Sequence, residues 1–254
     1  FLIIALANSL LLNTTNQGVC ERNNFDKKLL GVVRNPYGKL VQPSQVITQY
    51  SWERTIISTH FTVYYNITGP NAVTDEYAQT ASYALEHSWI TVVNNYQFNP
   101  PPDDHINVYI MYMALYYGIT YISYNPITGY HIENITLSTN MEYDLLRYVC
   151  AHEFFHTIQA SYPITANWIM EGSEQWIIEG TAVWMGARVY PEYTGVVSFV
   201  YYANQFLQNP DRPLTELDYD AVLFWIFLDE HYGGTDTIRN IMEQNGSLNG
   251  IQAV

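Results

Sequence analysis

Ala151-His152-Glu153-Phe154-Phe155-His156-Thr157-Ile158-Gln159 is the stretch on which the reading of this chain turns. Its centre is an HExxH pattern. In a helix, residues i and i+4 project from one face a turn apart. The imidazoles of His152 and His156 can therefore meet a single Zn²⁺ at ~2.0–2.1 Å each. Glu153 lies beside that face without sharing its register, so it can reach a water held by the ion without binding the ion itself. That makes it the candidate general base. The pattern arises by chance in roughly one chain of this length in a hundred, and a helix with two satisfied core histidines is the bland alternative.

The surroundings agree with a helix. Thr139 and Glu142 form a Thr-x-x-Glu capping pattern that predicts a helix start. Leu145, Val149, His152 and His156 then follow along one face. A catalytic zinc usually keeps three protein ligands and one open position, so a third ligand must come from elsewhere. Two glutamates sit in near-duplicate contexts, Trp168-Ile169-Met170-Glu171-Gly172 and Trp176-Ile177-Ile178-Glu179-Gly180. Glu179 continues into Thr181-Ala182-Val183-Trp184, a good helix. The small Gly180 and Ala182 would let that helix approach the His152 helix closely. Glu171 precedes a Gly-Ser break and reads as part of the connecting loop. The residues favour Glu179 over Glu171, although the usual fate of a glutamate is the solvated surface.

Working outward, residues 1–45 read as an arm, apolar at its start and polar after, punctuated by Pro36, Gly38 and Pro43. From 46 to 254 the chain reads as one domain in two halves. Phe61–Tyr65 has the β-branched and aromatic content of a strand. Tyr77, Ala81, Ala84, Leu85, Trp89, Val92, Val93 and Tyr96 carry the three-and-four spacing of a long amphipathic helix, which Pro100-Pro101-Pro102 stops. Ile106–Met113, Ile119–Ser123 and Ile132–Leu137 read as strands, and the last is a candidate for pairing with a substrate backbone. The half from 46 to 160 is thus a sheet plus the active-site helix. The half from 161 to 254 is mainly helical: Asn167–Met185, then Leu217–His231 ending at Gly233-Gly234, then a short helix capped by Thr235. The expected class is α+β.

With these motifs in view, the chain resembles the HExxH…Glu zinc metallopeptidases of the gluzincin group, and within it secreted prokaryotic metallopeptidases. The likeness rests on Ala151–Gln159 and on Trp176-Ile177-Ile178-Glu179-Gly180-Thr181-Ala182-Val183-Trp184. It extends from Phe61-Thr62-Val63-Tyr64-Tyr65 to Tyr219, Phe224-Trp225, Leu228, Tyr232-Gly233 and Ile238-Arg239, covering roughly residues 55–245. Proteins of this kind often continue past the point that corresponds to residue 254. The resemblance implies a zincin-like fold, a mixed sheet with the active-site helix below it. It implies Zn²⁺ on His152, His156 and Glu179, with Glu153 as base, and hydrolysis of a protein or peptide substrate by a metal-activated water. A further donor should stabilise the developing oxyanion. Tyr219 and His231 are candidates among 23 tyrosines and seven histidines.

Composition narrows the function classes. The net charge is −14, from 24 acidic and 10 basic residues, and no basic run exceeds Lys27-Lys28, which excludes nucleic acid as a partner. Only 13% of residues are charged, against a typical ~25%. There is no G-x-S-x-G for a serine hydrolase and no Gly-rich phosphate loop. Cys150 sits about 200° around the helix from His152, facing away from the metal. Asn13, Asn66, Asn134 and Asn245 begin N-glycosylation sequons. Together with the few charges and cysteines they point to an extracellular or cell-surface protein. There, Cys20 and Cys150 either form a disulfide or remain two buried thiols. Residues 1–12 are too short to span a bilayer, which takes ~20 residues, and fit a buried strand, a membrane-proximal anchor or a subunit-docking segment. The principal alternative function is a catalytically inert cell-surface or filament-associated structural protein on the peptidase fold.

Overall fold

The computed structural model describes residues 51–125, 127–163, 174–193 and 197–244. The arm at 1–45 with its apolar start, Asn13, Cys20, Glu171 and Asn245 all lie outside the described residues.

The described chain is a mixed α and β structure built on a five-stranded sheet. Its strands are β1 (Arg54–Ile57), β2 (Phe61–Tyr65), β3 (Ile106–Met111), β4 (Gly118–Asn125) and β5 (Gly129–Ser138), in the order β1-β2-β3-β5-β4. β2, β3 and β5 run parallel, while β1 and β4 pair antiparallel with their neighbours. Between β2 and β3 the chain crosses over through α1 (Asp75–Trp89), the long connection that parallel strands require. Between β3 and β5 it first makes the outer strand β4 and returns by a turn at Gly129, whose φ of 90° is cheap only for glycine. Residues alternate along each strand. Phe61, Val63, Ile106, Val108, Ile110, Ile135 and Leu137 point into the core and are fully buried.

α2 (Tyr143–Gln159) runs through the middle of the molecule, packed against α1, β4, β5 and α3 (Gln175–Val189). Every residue from Tyr148 to Gln159 is buried. Phe154 meets Phe61 and Trp89 edge-on or tilted, at centroid distances of 5.8 and 5.6 Å. Truncating such a core aromatic to alanine costs ~3–5 kcal/mol. Tyr148 donates to the Val183 carbonyl at 3.2 Å and ties α2 to α3. Beyond α3 lie α4 (Val197–Gln208), a 3₁₀ turn at Tyr219–Ala221, α5 (Val222–His231) and α6 (Thr235–Gln244). Among the described residues no helix is long and apolar enough to cross a membrane.

Several expectations need correction. α2 starts at Tyr143 with Glu142 in the capping position, three residues after Thr139, because β5 runs on to Ser138 and an extended Glu142 still has to turn the chain. The helix through Tyr77 keeps α-geometry only to Trp89 and widens into a π-helical turn at Ile90–Asn95. α5 begins at Val222, since the chain from Leu217 is first an extended residue and a 3₁₀ turn. β5 is paired on both sides over Ile135–Leu137, so the sheet edge beside α2 is β4. β1 was not among the expected strands.

Candidate metal centre

A helix buried all round normally carries only apolar side chains, because an unpaired polar group inside costs free energy. α2 instead buries His152, Glu153, His156, Thr157 and Gln159. His152 and Glu153 are fully buried, His156 is 1% exposed and Glu179 on α3 is 3% exposed. The i, i+4 spacing brings the two rings to 4.7 Å, edge to face. Their Nε2 atoms converge to 3.1 Å, and Glu179 Oε2 lies 3.4 Å from each. Donors at ~2.0–2.1 Å from one tetrahedral ion stand about 3.3–3.4 Å apart. The triangle therefore has the size of one face of such a site, and His152, His156 and Glu179 form a group that could hold a metal ion.

Hydrogen bonding points the same way. Among the described residues, the buried side-chain polar atoms without a hydrogen bond are His152 Nδ1, Glu153 Oε1 and Glu179 Oε2. All belong to this centre: Glu179 Oε2 has no hydrogen bond but lies 3.4 Å from the Nε2 atoms of both histidines, and Glu153 Oε1 is a buried oxygen without a hydrogen bond, which costs free energy. The protons are also displaced from their usual positions. Burial pushes His152 down to about 4, although the Glu179 carboxylate opposes this. Burial alone would lower His156 too, but the charges of Glu179 and Glu153 raise it to about 9. Burial would raise Glu179, yet the adjacent imidazoles hold it down at about 2. Without a cation the centre is thus a Glu179 carboxylate paired with a charged His156, beside a neutral His152.

Glu153 is set apart from this triangle. Its Oε2 accepts from Thr120 Oγ1 at 2.8 Å, and the same hydroxyl lies 2.9 Å from the Glu153 carbonyl. A Cβ on Gly118 would fall 2.5 Å from Glu153 Cγ and Oε1, so only glycine lets β4 pass this close. Burial raises the Glu153 carboxyl to about 8. Tyr219 stacks on His152, with ring centroids 6.1 Å apart and planes 20° apart, and Tyr202 stacks on Tyr219 at 4.9 Å. Burial, with Glu179 nearby, holds the Tyr219 phenol well above its ordinary pKa, so it stays protonated.

The structure brings together His152, Glu153, His156 and Glu179, and adds Tyr219. His231 lies exposed at the end of α5 against Phe227 and is not part of the centre. Cys150 is buried, its thiol 3.9 Å from the Ala81 carbonyl on α1, away from the metal ligands. It forms no disulfide among the described residues. Asn66 is partly buried, with Oδ1 accepting from the Glu53 amide. Asn134 is only 4% exposed within β5, so the folded chain has no room for a glycan there. Gly180 does not face α2 as its size suggested. A Cβ there would meet Trp225 Nε1 at 2.7 Å and Ala221 at 2.9 Å, so it admits the Trp225 indole, while Gly186 is the residue that accommodates Tyr148.

The sequence pattern assigned no role to Gly118, Thr120, Gln159 or Tyr202. Gln159 had a local signal, since it stands three residues after His156 on the same face. The other three come from distant segments and carried none.

The chain matches, over residues 34–249, the family described as "Family of unknown function (DUF6055)". No curated protein matches it.

Proposed function

The chain belongs to the DUF6055 family, whose function is unknown, and from its own residues we propose that it is a zinc-dependent peptidase with a zincin-like, gluzincin-type centre. The observation that carries this reading is the triangle of His152 Nε2, His156 Nε2 and Glu179 Oε2, 3.1–3.4 Å on a side, with Glu153 on the same helix holding one oxygen without a hydrogen bond. Two imidazoles and one carboxylate suit zinc and leave a fourth position open. When bound, a cation of this kind acts as a Lewis acid on a carbonyl and lowers the pKa of water towards ~7.

The remaining chemistry belongs to the protein. Thr120 occupies Oε2 of Glu153, which leaves Oε1 to take the proton of an attacking water and later deliver it to the leaving amine. Tyr219 supplies a protonated phenol beside His152 as a donor to the developing oxyanion. β4 is the sheet edge nearest Glu153, so an extended peptide adding alongside it would bring its scissile bond to the base. Protein or peptide is thus the proposed substrate, and an extracellular or cell-surface setting the proposed location.

One observation favours a second reading, an inert cell-surface or filament-associated protein on the same fold. None of the four central residues is more than 3% exposed. Metal analysis of purified protein, followed by digestion of unfolded protein substrates, separates the two. One zinc per chain with cleavage abolished by a chelator is the outcome expected of a peptidase. Stoichiometric zinc with no cleavage across a broad peptide library favours the structural protein, and absence of zinc defeats the peptidase and leaves the inert protein.

A further inference from the structure

Gln159 makes contacts that neither the motif nor the catalytic roles above require. It is 2% exposed. Its Nε2 donates to the Ile178 carbonyl at 2.7 Å and to Thr181 Oγ1 at 2.9 Å, while its Oε1 lies 2.8 Å from His156 Nδ1. Thr181 in turn donates its own proton to the Ile177 carbonyl at 2.6 Å, so its oxygen is left to accept.

The orientation of the amide follows from this network. A backbone carbonyl only accepts, so the Gln159 nitrogen must face Ile178 and its oxygen must face His156. An amide oxygen also only accepts, so His156 Nδ1 must carry a hydrogen. The lone pair of the neutral ring then falls on Nε2, the atom that points at His152 Nε2 and Glu179 Oε2. The amide's other end grips α3 at Ile178 and Thr181, the residues on either side of Glu179 and Gly180. One side chain thus touches the second histidine ligand and the helix turn that carries the third.

We propose that Gln159 is the positioning residue of the metal centre: by accepting from Nδ1–H of His156 it makes Nε2 the ring atom that gives up its proton to the ion, and it fixes α3 so that Glu179 completes the triangle before the ion arrives. This rests on the metal reading above. Partners of this kind, which hold a ligand from behind, typically change metal affinity ~10–100-fold when removed.

Two variants of the full chain separate positioning from a mere tie between helices. Gln159→Met keeps the shape and removes every hydrogen bond. Gln159→Glu keeps the acceptor for His156 Nδ1–H but loses the amide donor and sets a carboxylate against the Ile178 carbonyl. Zinc affinity is read by chelator competition, ligand geometry by the visible spectrum of the Co²⁺ form, and metal-free stability by thermal unfolding. The expectation is that Gln159→Met loses ~10–100-fold in affinity with an altered Co²⁺ spectrum. Gln159→Glu should bind zinc more tightly than Gln159→Met while being the less stable of the two without metal. Parental affinity in Gln159→Met, or affinities that simply follow metal-free stability, would overturn the proposal. If the parental chain bound no zinc, the metal reading would fall on that result alone. The ring state is then still read by ¹⁵N spectra of the metal-free protein, taken once the ring has lost its extra proton: Nδ1–H supports the proposal, and Nε2–H overturns it.

Discussion

Thr120 Oγ1 on the edge strand donates to Glu153 Oε2 on the central helix at 2.8 Å, a bond between residues 33 apart in sequence. Together with Gly118 it fixes which oxygen of the carboxylate stays free. Thr120→Val removes the donor with little change of shape, and so removes an influence that lowers the Glu153 carboxyl. Because Glu153 must be ionised to act as base, the acidic limb of the rate profile should move to higher pH. Gly118→Ala should displace the carboxylate, and a shift of about 1 Å can cost ~10²-fold in rate. Zinc content should survive both changes. Parental rates and an unmoved limb would show that β4 does not place the base.

Glu153→Gln is nearly isosteric and should leave zinc bound and the fold intact. The amide cannot accept a proton from water, so turnover of a protein substrate should fall by ~10²–10⁴-fold. His152→Ala should behave differently, losing metal and activity together. Cleavage by Glu153→Gln at the parental rate would rule out Glu153 as the base.

Glu179→Gln should lose zinc, and Glu171→Gln should keep it. Metal analysis after dialysis against a weak chelator reads both. The opposite pattern would move the third ligand to the first Trp-Ile-x-Glu-Gly copy.

Zinc binding should be coupled to loss of at least one proton near neutral pH. His156 is raised to about 9, so its ring carries an extra proton at pH 7 that the ion must displace. Apparent affinity should therefore climb ~10-fold per pH unit and level off above about pH 9. Metal-free stability should move the other way. A folded-state value raised from 6.5 means that the His156 contribution is complete below pH 6.5 and is lost as pH rises through about 9. Calorimetry in buffers of different ionisation heat measures the proton released. A value of zero at pH 7 would contradict the charged His156.

Tyr219→Phe keeps the ring stacked on His152 and removes only the phenol proton. Zinc affinity should stay parental while kcat falls ~10²–10³-fold, the usual loss for one oxyanion donor. His231→Ala should change neither, since His231 is exposed at the far end of α5. A fully active Tyr219→Phe would return that residue to a packing role.

Local spacing and composition determined a good deal of this protein. HExxH needs only helical periodicity to place His152 and His156 on one face, and the second Trp-Ile-x-Glu-Gly copy continued into a helix good enough to mark Glu179. Phe61–Tyr65 was legible as a strand because its β-branched and aromatic content is read within five residues. Tertiary structure decided whatever depends on segments meeting across the chain. Strand order made β4 the edge, since the hairpin returns β5 to pair with β3, and no local pattern encodes which strand ends outermost. Gly118 and Thr120 matter only because that edge passes over Glu153. Gly180 looked like a contact for α2 because size alone does not say which neighbour a helix face meets, and the Trp225 indole took the space. Asn134 carries a sequon that reads as surface, yet β5 buries it. A motif states which groups can act together on one element, while burial, pairing and charge at the centre arise from contacts between elements. Among the described residues, those contacts alone left three buried polar atoms without hydrogen bonds at one point in the core.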